Sequence, residues 1–210
     1  MTTTQPSAHT ITTPQQLQAL FDAPGEASLR KEVDFVHPLY RAMIEASPFA
    51  VLATAGPEGL DASPRGDPGG CVVVQDERTL LLPERRGNNR VDSLRNLLAD
   101  PRMALLFLIP GVGETLRVNG RARISVEPAL LERCAMRGAL PKCVLVIDVE
   151  RVFFQCARAI QRSRLWQPLP AETLAKVPTA GQVLEALTER AIDGDGYDRA
   201  LPERQRSTLY

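Results

Sequence analysis

The sequence predicts a mainly β domain, a small antiparallel barrel with helices packed outside it. Three observations carry this reading. About six segments alternate or run apolar over strand length, short turn-forming sequences separate most of them, and one leucine-periodic helix interrupts the series midway. A two-sheet sandwich would accommodate the strands about as well, but would leave the central helix without a reason.

Residues 1–13 are Thr-rich and too polar to bury much, so they are expected to be a disordered tail, with order beginning near Pro14. Over residues 14–46, Leu17, Leu20 and Phe21, then Val33, Val36, Leu39, Tyr40, Met43 and Ile44, recur at helical spacing and predict two helices, Pro14–Phe21 and Ser28–Ala46. His37-Pro38 interrupts the second, which is expected to kink or restart there. After Pro48 the period becomes two: Phe49, Val51 and Ala53 alternate, Gly56-Pro57-Glu58-Gly59 supplies a turn, and Leu60–Arg65 returns as a hairpin partner. Cys71–Gln75 and Thr79–Leu82 read as a second strand pair. Asn89 can cap a helix whose inner face is Val91, Leu94, Leu97 and Leu98, ended by Asp100-Pro101. Ala104–Ile109 is apolar throughout, the mark of a strand covered on both faces, either central or at a subunit interface. Thr115–Ser125 alternates and Val144–Phe154 forms the last strong strand. Between them Leu130, Leu131 and Cys134 predict a helix over Pro128–Arg137, and Gln182–Ile192 predicts another.

Composition narrows the function classes. Lys plus Arg and Asp plus Glu both total 25, so no net basic character draws the chain toward nucleic acid or an anionic membrane. No apolar run approaches the roughly 20 residues of a membrane span, and the N-terminus lacks a signal-peptide core. A cytoplasmic, reduced protein is expected. Cys71, Cys134, Cys143 and Cys156 form no close pair and no zinc-like cluster with His9 or His37, so no metal site is expected. Two histidines, neither near a Gly-flanked Ser or Cys, argue against a hydrolytic triad, and there is no GxGxxG or Walker loop.

Any anion site must therefore be local. Arg85, Arg86, Asn88, Asn89 and Arg90 crowd the entrance to the central helix, where Gly87 permits close approach and a bound anion would offset a cation set against the helix dipole. Ser93 follows about one turn later. Taken alone, the turn reads more readily as a solvated loop before an ordinary Asn-capped helix; the company it keeps favours the anion. Ser63-Pro64-Arg65-Gly66-Asp67 is either a strand ending in a Pro/Gly loop, with Arg65 paired to Asp67, or a second basic arm reaching the same anion. Arg162, Ser163 and Trp166 follow the last strand, where the single tryptophan either packs structurally, covers an aromatic ligand or seals a subunit interface.

Taken together, SPRGD at 63–67, LLLPERRGNNRVDSLRNLLADPR at 80–102, LFLIPG at 106–111 and ETLRVNGRARI at 114–124 resemble the pyridoxamine 5'-phosphate oxidase-like flavoproteins over residues 45–168. The resemblance implies an FMN-binding split β-barrel over 47–168, mainly β with flanking helices, followed by a C-terminal helical extension over 169–210. It implies a homodimer with FMN in the cleft between subunits. Its phosphate would meet Arg65, Asn89, Arg90 and Ser93, with Ser63 and Asn88 beside them. Leu82, Pro83, Glu84 and Arg85 would run along the isoalloxazine ring, and Thr115 and Arg117 would lie on a neighbouring strand. Arg162, Ser163 and Trp166 would come from the other subunit. The implied activity is FMN-dependent oxidation–reduction, with hydride transfer through flavin N5 to or from a small-molecule substrate or electron donor and no nominated catalytic side chain. The alternatives are a deazaflavin (F420) reductase and a non-catalytic flavin-binding or sensor protein. True pyridoxamine phosphate oxidases carry a Ser-Arg-Lys phosphate motif and a C-terminal Trp-Arg-Leu segment. This chain has Gly-Asn-Asn-Arg at 87–90 and ends in Ser-Thr-Leu-Tyr, so vitamin B6 oxidation is not implied.

Overall fold

The computed structural model describes residues 9–210. The expected tail therefore lies partly, over 1–8, outside the described residues. Residues up to Glu32 form one compact unit and Val33–Tyr210 a second. The first carries two single-turn helices, α1 (Pro14–Gln18) and α2 (Glu26–Arg30). A capping box starts α1, in which Gln16 N–H donates to Thr13 Oγ1 at 3.3 Å and Thr13 N–H donates to Gln16 Oε1 at 3.1 Å. The helix expected over Ser28–Ala46 is divided, because His37-Pro38 restarts it. The His37 ring accepts from Leu39 N–H at 3.2 Å and Pro38 occupies the first turn of α3 (Pro38–Ala46), where its missing N–H costs nothing.

The second unit is built on seven strands: β1 (Phe49–Gly56), β2 (Gly59–Gly66), β3 (Val73–Val74), β4 (Thr79–Glu84), β5 (Arg102–Leu108), β6 (Thr115–Ser125) and β7 (Cys143–Gln155). They form one antiparallel sheet in the order β2-β1-β5-β6-β7-β4-β3. The helices are α4 (Asp92–Ala99), α5 (Pro128–Arg133), α6 (Arg158–Ser163), α7 (Ala171–Leu174), α8 (Ala180–Leu187) and α9 (Gly194–Ser207).

The expected FMN-binding split β-barrel is overturned by this strand order. The sheet is not closed, and the fold is mixed α/β, an open seven-stranded sheet with flanking helices. Closure would require β2, at one edge, to pair with β3 or β4 near the other. Pro64 in β2 and Pro83 in β4 have no N–H to give, and β3 is only two residues long. Side chains meet across the gap instead, as described below.

The core lies on one face of the sheet. Ala50, Leu52, Met103, Leu105, Phe107, Leu116 and Val118 are buried at alternate positions, packed with Ile44 of α3 and Leu97 of α4. The opposite face is covered only in part. Leu81, Val144 and Val146 pack with Cys134 beneath Leu130 and Leu131 of α5, which explains why β4 is buried at four consecutive positions. As expected, β5 is central, flanked by β1 and β6. Its second face, with Ala104, Leu106 and Leu108, is only half-buried.

Two differences from the expected elements have plain causes. The buried side of α4 is Ser93, Asn96 and Leu97, while Leu98 is 78% exposed. The helix is turned because Asn96 Nδ2 donates to Thr54 Oγ1 at 3.2 Å, directly over Gly56, where any Cβ would collide with the Asn96 amide. The longest helix, α9, has no apolar stripe and contains Pro202. It packs on α8 through the glycine pair Gly181 and Gly194, with Asp198 accepting from Gly181 N–H at 2.8 Å and from the Thr179 hydroxyl. Among the described residues no helix is long and apolar enough to cross a membrane.

Where β6 crosses β7 the register shifts between Asn119 and Gly120, and a Cβ at Gly120 would lie 2.4 Å from the Asp148 carbonyl oxygen. Gly120→Ala is therefore expected to cost about 1–3 kcal/mol by overpacking, read as a lower urea midpoint with an unchanged slope. A variant as stable as the parent would show that the bulge tolerates a methyl group.

Candidate ligand-binding site

The gap left by the open sheet contains a cavity of about 550 Å³. Its walls come from β2, the end of β4, the 85–91 loop and the first turn of α4. Because strand side chains alternate, Asp61, Ser63 and Arg65 all project from one face of β2 toward it. The β4–β7 register sets Glu84 opposite Cys143 and so brings Lys142 and Cys143 to the same wall. Leu209 and Tyr210 complete the lining.

Ten of the fifteen residues expected at a cofactor line this cavity: Ser63, Arg65, Leu82, Pro83, Glu84, Arg85, Asn88, Asn89, Arg90 and Ser93. The other five are elsewhere on the same chain. Thr115 is buried and donates its hydroxyl to Gln155 Oε1 at 3.3 Å. Arg117 lies over the Phe153 ring at 4.4 Å, on the sheet face away from the core. Ser163 donates to the Ile160 carbonyl at 3.1 Å, Arg162 is exposed in the last turn of α6, and the Trp166 indole donates to the Val112 carbonyl at 2.7 Å.

The electrostatics are mixed rather than simply basic. Arg65 pairs with Glu84 at 3.0 Å and also donates to Ser63 Oγ at 2.7 Å. Arg85 pairs with Asp67 at 2.7 Å, its second arm donating to the Cys134 carbonyl at 2.7 Å. Arg90 pairs with Asp92 at 2.8 Å in an exposed contact of little energetic weight, and Ser93 donates to Asp61. Of the two alternatives for Arg65, the pair with Asp67 does not form: Asp67 takes Arg85, and Arg65 takes Glu84. Burial pushes the Cys71 thiol up to about 11, so it is a neutral thiol at physiological pH. Partial desolvation, and then the Asp67 carboxylate beside it, raises the Tyr210 phenol above its ordinary value. Among the described residues no group of three or more His, Cys, Asp or Glu could hold a metal ion.

The loop into α4 is unusual. Asn89 and Val91 have φ of 61° and 55°, and a left-handed conformation is costly for β-branched Val91. Val91, not Asn89, occupies the N-cap position, and no side chain caps α4. The first-turn amides beside the cavity therefore lack a side-chain acceptor. Asn89 instead accepts from Lys142 Nζ at 2.7 Å.

Sequence reasoning missed Asp61, Asp67, Cys71, Lys142, Cys143, Leu209 and Tyr210. Asp61 was legible, since it alternates with Ser63 and Arg65. Lys142 and Tyr210 had no local signal. Asp67 is the most deeply buried acid here, its side chain 4% exposed. Asp67→Asn would leave Arg85 without its counter-ion and is expected to cost about 3 kcal/mol or more, measured by denaturant unfolding. A loss within experimental error would mean that Arg85 finds full compensation at the Cys134 carbonyl or in water.

No curated protein matches the chain. Solved structures similar to it include the HupZ protein of Group A Streptococcus, at 22% identity over 55% of this chain and 90% of that one, with a TM-score of 0.46. Two others are a putative pyridoxamine 5'-phosphate oxidase from Lactobacillus delbrueckii (17% identity, 58% and 95% coverage, TM-score 0.44) and one from Listeria innocua (19%, 54% and 92%, 0.41). The family model described as pyridoxamine 5'-phosphate oxidase matches residues 36–156, more than half of the 210 residues. That span takes in all seven strands and the whole of α4, and on it the chain belongs to the pyridoxamine 5'-phosphate oxidase-like family.

Proposed function

We propose that the Val33–Tyr210 unit binds FMN at the open seam of its sheet and serves as an FMN-dependent oxidoreductase acting on a small-molecule substrate or electron donor. The observation that carries this reading is the convergence of ten expected residues on one cavity of about 550 Å³, within the roughly 300–1,000 Å³ range of small-molecule sites.

The residues fit the group. The uncapped start of α4 offers backbone N–H donors to a phosphate, with the exposed, loosely paired Arg90 beside them; the Ser93 hydroxyl would join them only by turning from Asp61. Such a ligand would also offset the cost of the left-handed Asn89 and Val91. Arg65 is held in orientation by Glu84 and Ser63, so it needs little ordering on binding. Leu82 and Pro83 supply a buried, largely apolar wall suited to a flat ring. When bound, FMN supplies hydride exchange at N5, which is why the site needs no side-chain acid or base of its own. His37 lies in the cap of α3 and outside the cavity.

A visible spectrum of the purified protein, followed by mass analysis of what heat releases, tests the reading and separates FMN from a deazaflavin. Arg90→Ala is expected to weaken FMN binding by about tenfold or more, since it removes a charge-assisted hydrogen bond. A colourless protein that takes up no added FMN would end the flavin reading. Bound flavin that is never reduced by any donor would favour a binding or sensor role.

A homodimer belongs to the same proposal. The second face of β1, β5 and β6 presents Val51, Ala53, Ala104, Leu106 and Leu108 half-buried, around Arg117 Nε and Asn119 Oδ1, which are buried without a hydrogen-bond partner among the described residues. A second copy seated on this face would cover the apolar patch. Leu106→Arg is expected to convert a dimer into a monomer by sedimentation, with loss of flavin if the cofactor lies at the interface. A monomeric parent, or a variant that stays dimeric, would remove this face from the proposal.

A further inference from the structure

A smaller cavity of about 180 Å³ adjoins the main one, lined by Arg85, Arg86, Ala139, Leu140, Lys142 and Tyr210. Arg85, Arg86, Lys142 and Tyr210 line both spaces, so they share a wall. The cations here are not equivalent. Arg85 is neutralised by Asp67, whereas Arg86 and Lys142 have no carboxylate partner among the described residues. Lys142 donates to the neutral Asn89 side chain, which leaves its charge unmatched.

The remaining wall is carbon. Ala139 and Leu140 contribute to it, and Leu140 is 57% exposed. Tyr210 contributes as well, with the Arg85 and Arg137 guanidinium groups 5.9 Å and 5.5 Å from its ring centroid. A dry cavity of about 150 Å³ is known to hold one benzene ring, so this one has room for a ring and a small planar head group. A carboxylate matches an Arg fork beside a Lys point charge.

We propose that this smaller cavity binds a single-ring organic carboxylate, its head group at Arg86 and Lys142 and its ring between Leu140 and Tyr210. As a substrate subsite beside the cofactor it rests on the flavin reading above; as a binding site it stands on these residues alone.

Benzoate is the probe, titrated calorimetrically into the purified protein supplied with excess FMN. One saturable site is expected, weakened at least tenfold in the double variant Arg86→Gln/Lys142→Gln. Leu140→Trp, which keeps both charges and changes an exposed side chain, is expected to block binding by filling the space. Absence of saturable benzoate binding, or binding unchanged in both variants, would overturn the proposal. So would loss of FMN with unaltered benzoate binding in the double variant, or phenyl phosphate binding more tightly than benzoate. Benzoate binding in a protein that takes up no FMN would uphold the subsite and reject the flavin reading, whereas FMN uptake without benzoate binding would do the reverse.

Discussion

The arrangement of the second unit depends on two ion pairs that bridge an unclosed sheet. Arg65 and Glu84, and Asp67 and Arg85, link β2 and its following turn to the end of β4, where prolines deny the backbone a continuous ladder. Charges so little exposed are expensive unless every arm is occupied. Further contacts supplement each pair: Arg65 also reaches Ser63 and the Pro64 carbonyl, and Arg85 reaches the Cys134 carbonyl. A ladder of backbone hydrogen bonds would have brought the strands to about 4.8 Å and left no cavity. Side-chain bridges hold the edges farther apart, and the cavity is the space they keep open.

That space is polar and apolar by turns because three kinds of element border it. The β2 edge offers alternating Asp61, Ser63 and Arg65, the end of β4 offers buried Leu82 and Pro83, and α4 offers an uncapped first turn. The position of α4 is set at its other end. Asn96 over Gly56 and against Thr54 fixes how far the helix advances along β1 and therefore where its N-terminus opens. Packing remote from the cavity thus aims the amides that border it.

Much of the fold was legible in local pattern. The hairpin at 49–66, the 115–125 strand, the central position of the 104–109 run and the restart of a helix at Pro38 follow from periodicity and turn chemistry. The α4 inner face was misjudged because Leu98 continues the leucine series, yet a polar contact, Asn96 with Thr54, outweighs one exposed leucine. Helix was expected over 169–210, but α9 could not be delimited within it because it has no apolar stripe; glycine-to-glycine approach and an Asp193 cap stabilise it, and neither leaves a periodic trace.

For the site, the sequence by itself determined which side chains are available and which alternate on one strand: Ser63 with Arg65, and the Arg-Arg-Gly-Asn-Asn-Arg turn at the entrance to a helix. It also placed the chain in its family through those same segments. Only the tertiary structure decided whether the sheet closes, which acid neutralises each arginine, and that Lys142 and Tyr210 meet Arg86 across dozens of residues. The physical reason is that strand alternation is a property of neighbouring residues, whereas edge pairing and charge pairing compare partners far apart in the chain. Those comparisons are settled by distance and desolvation, which exist only once the backbone has folded.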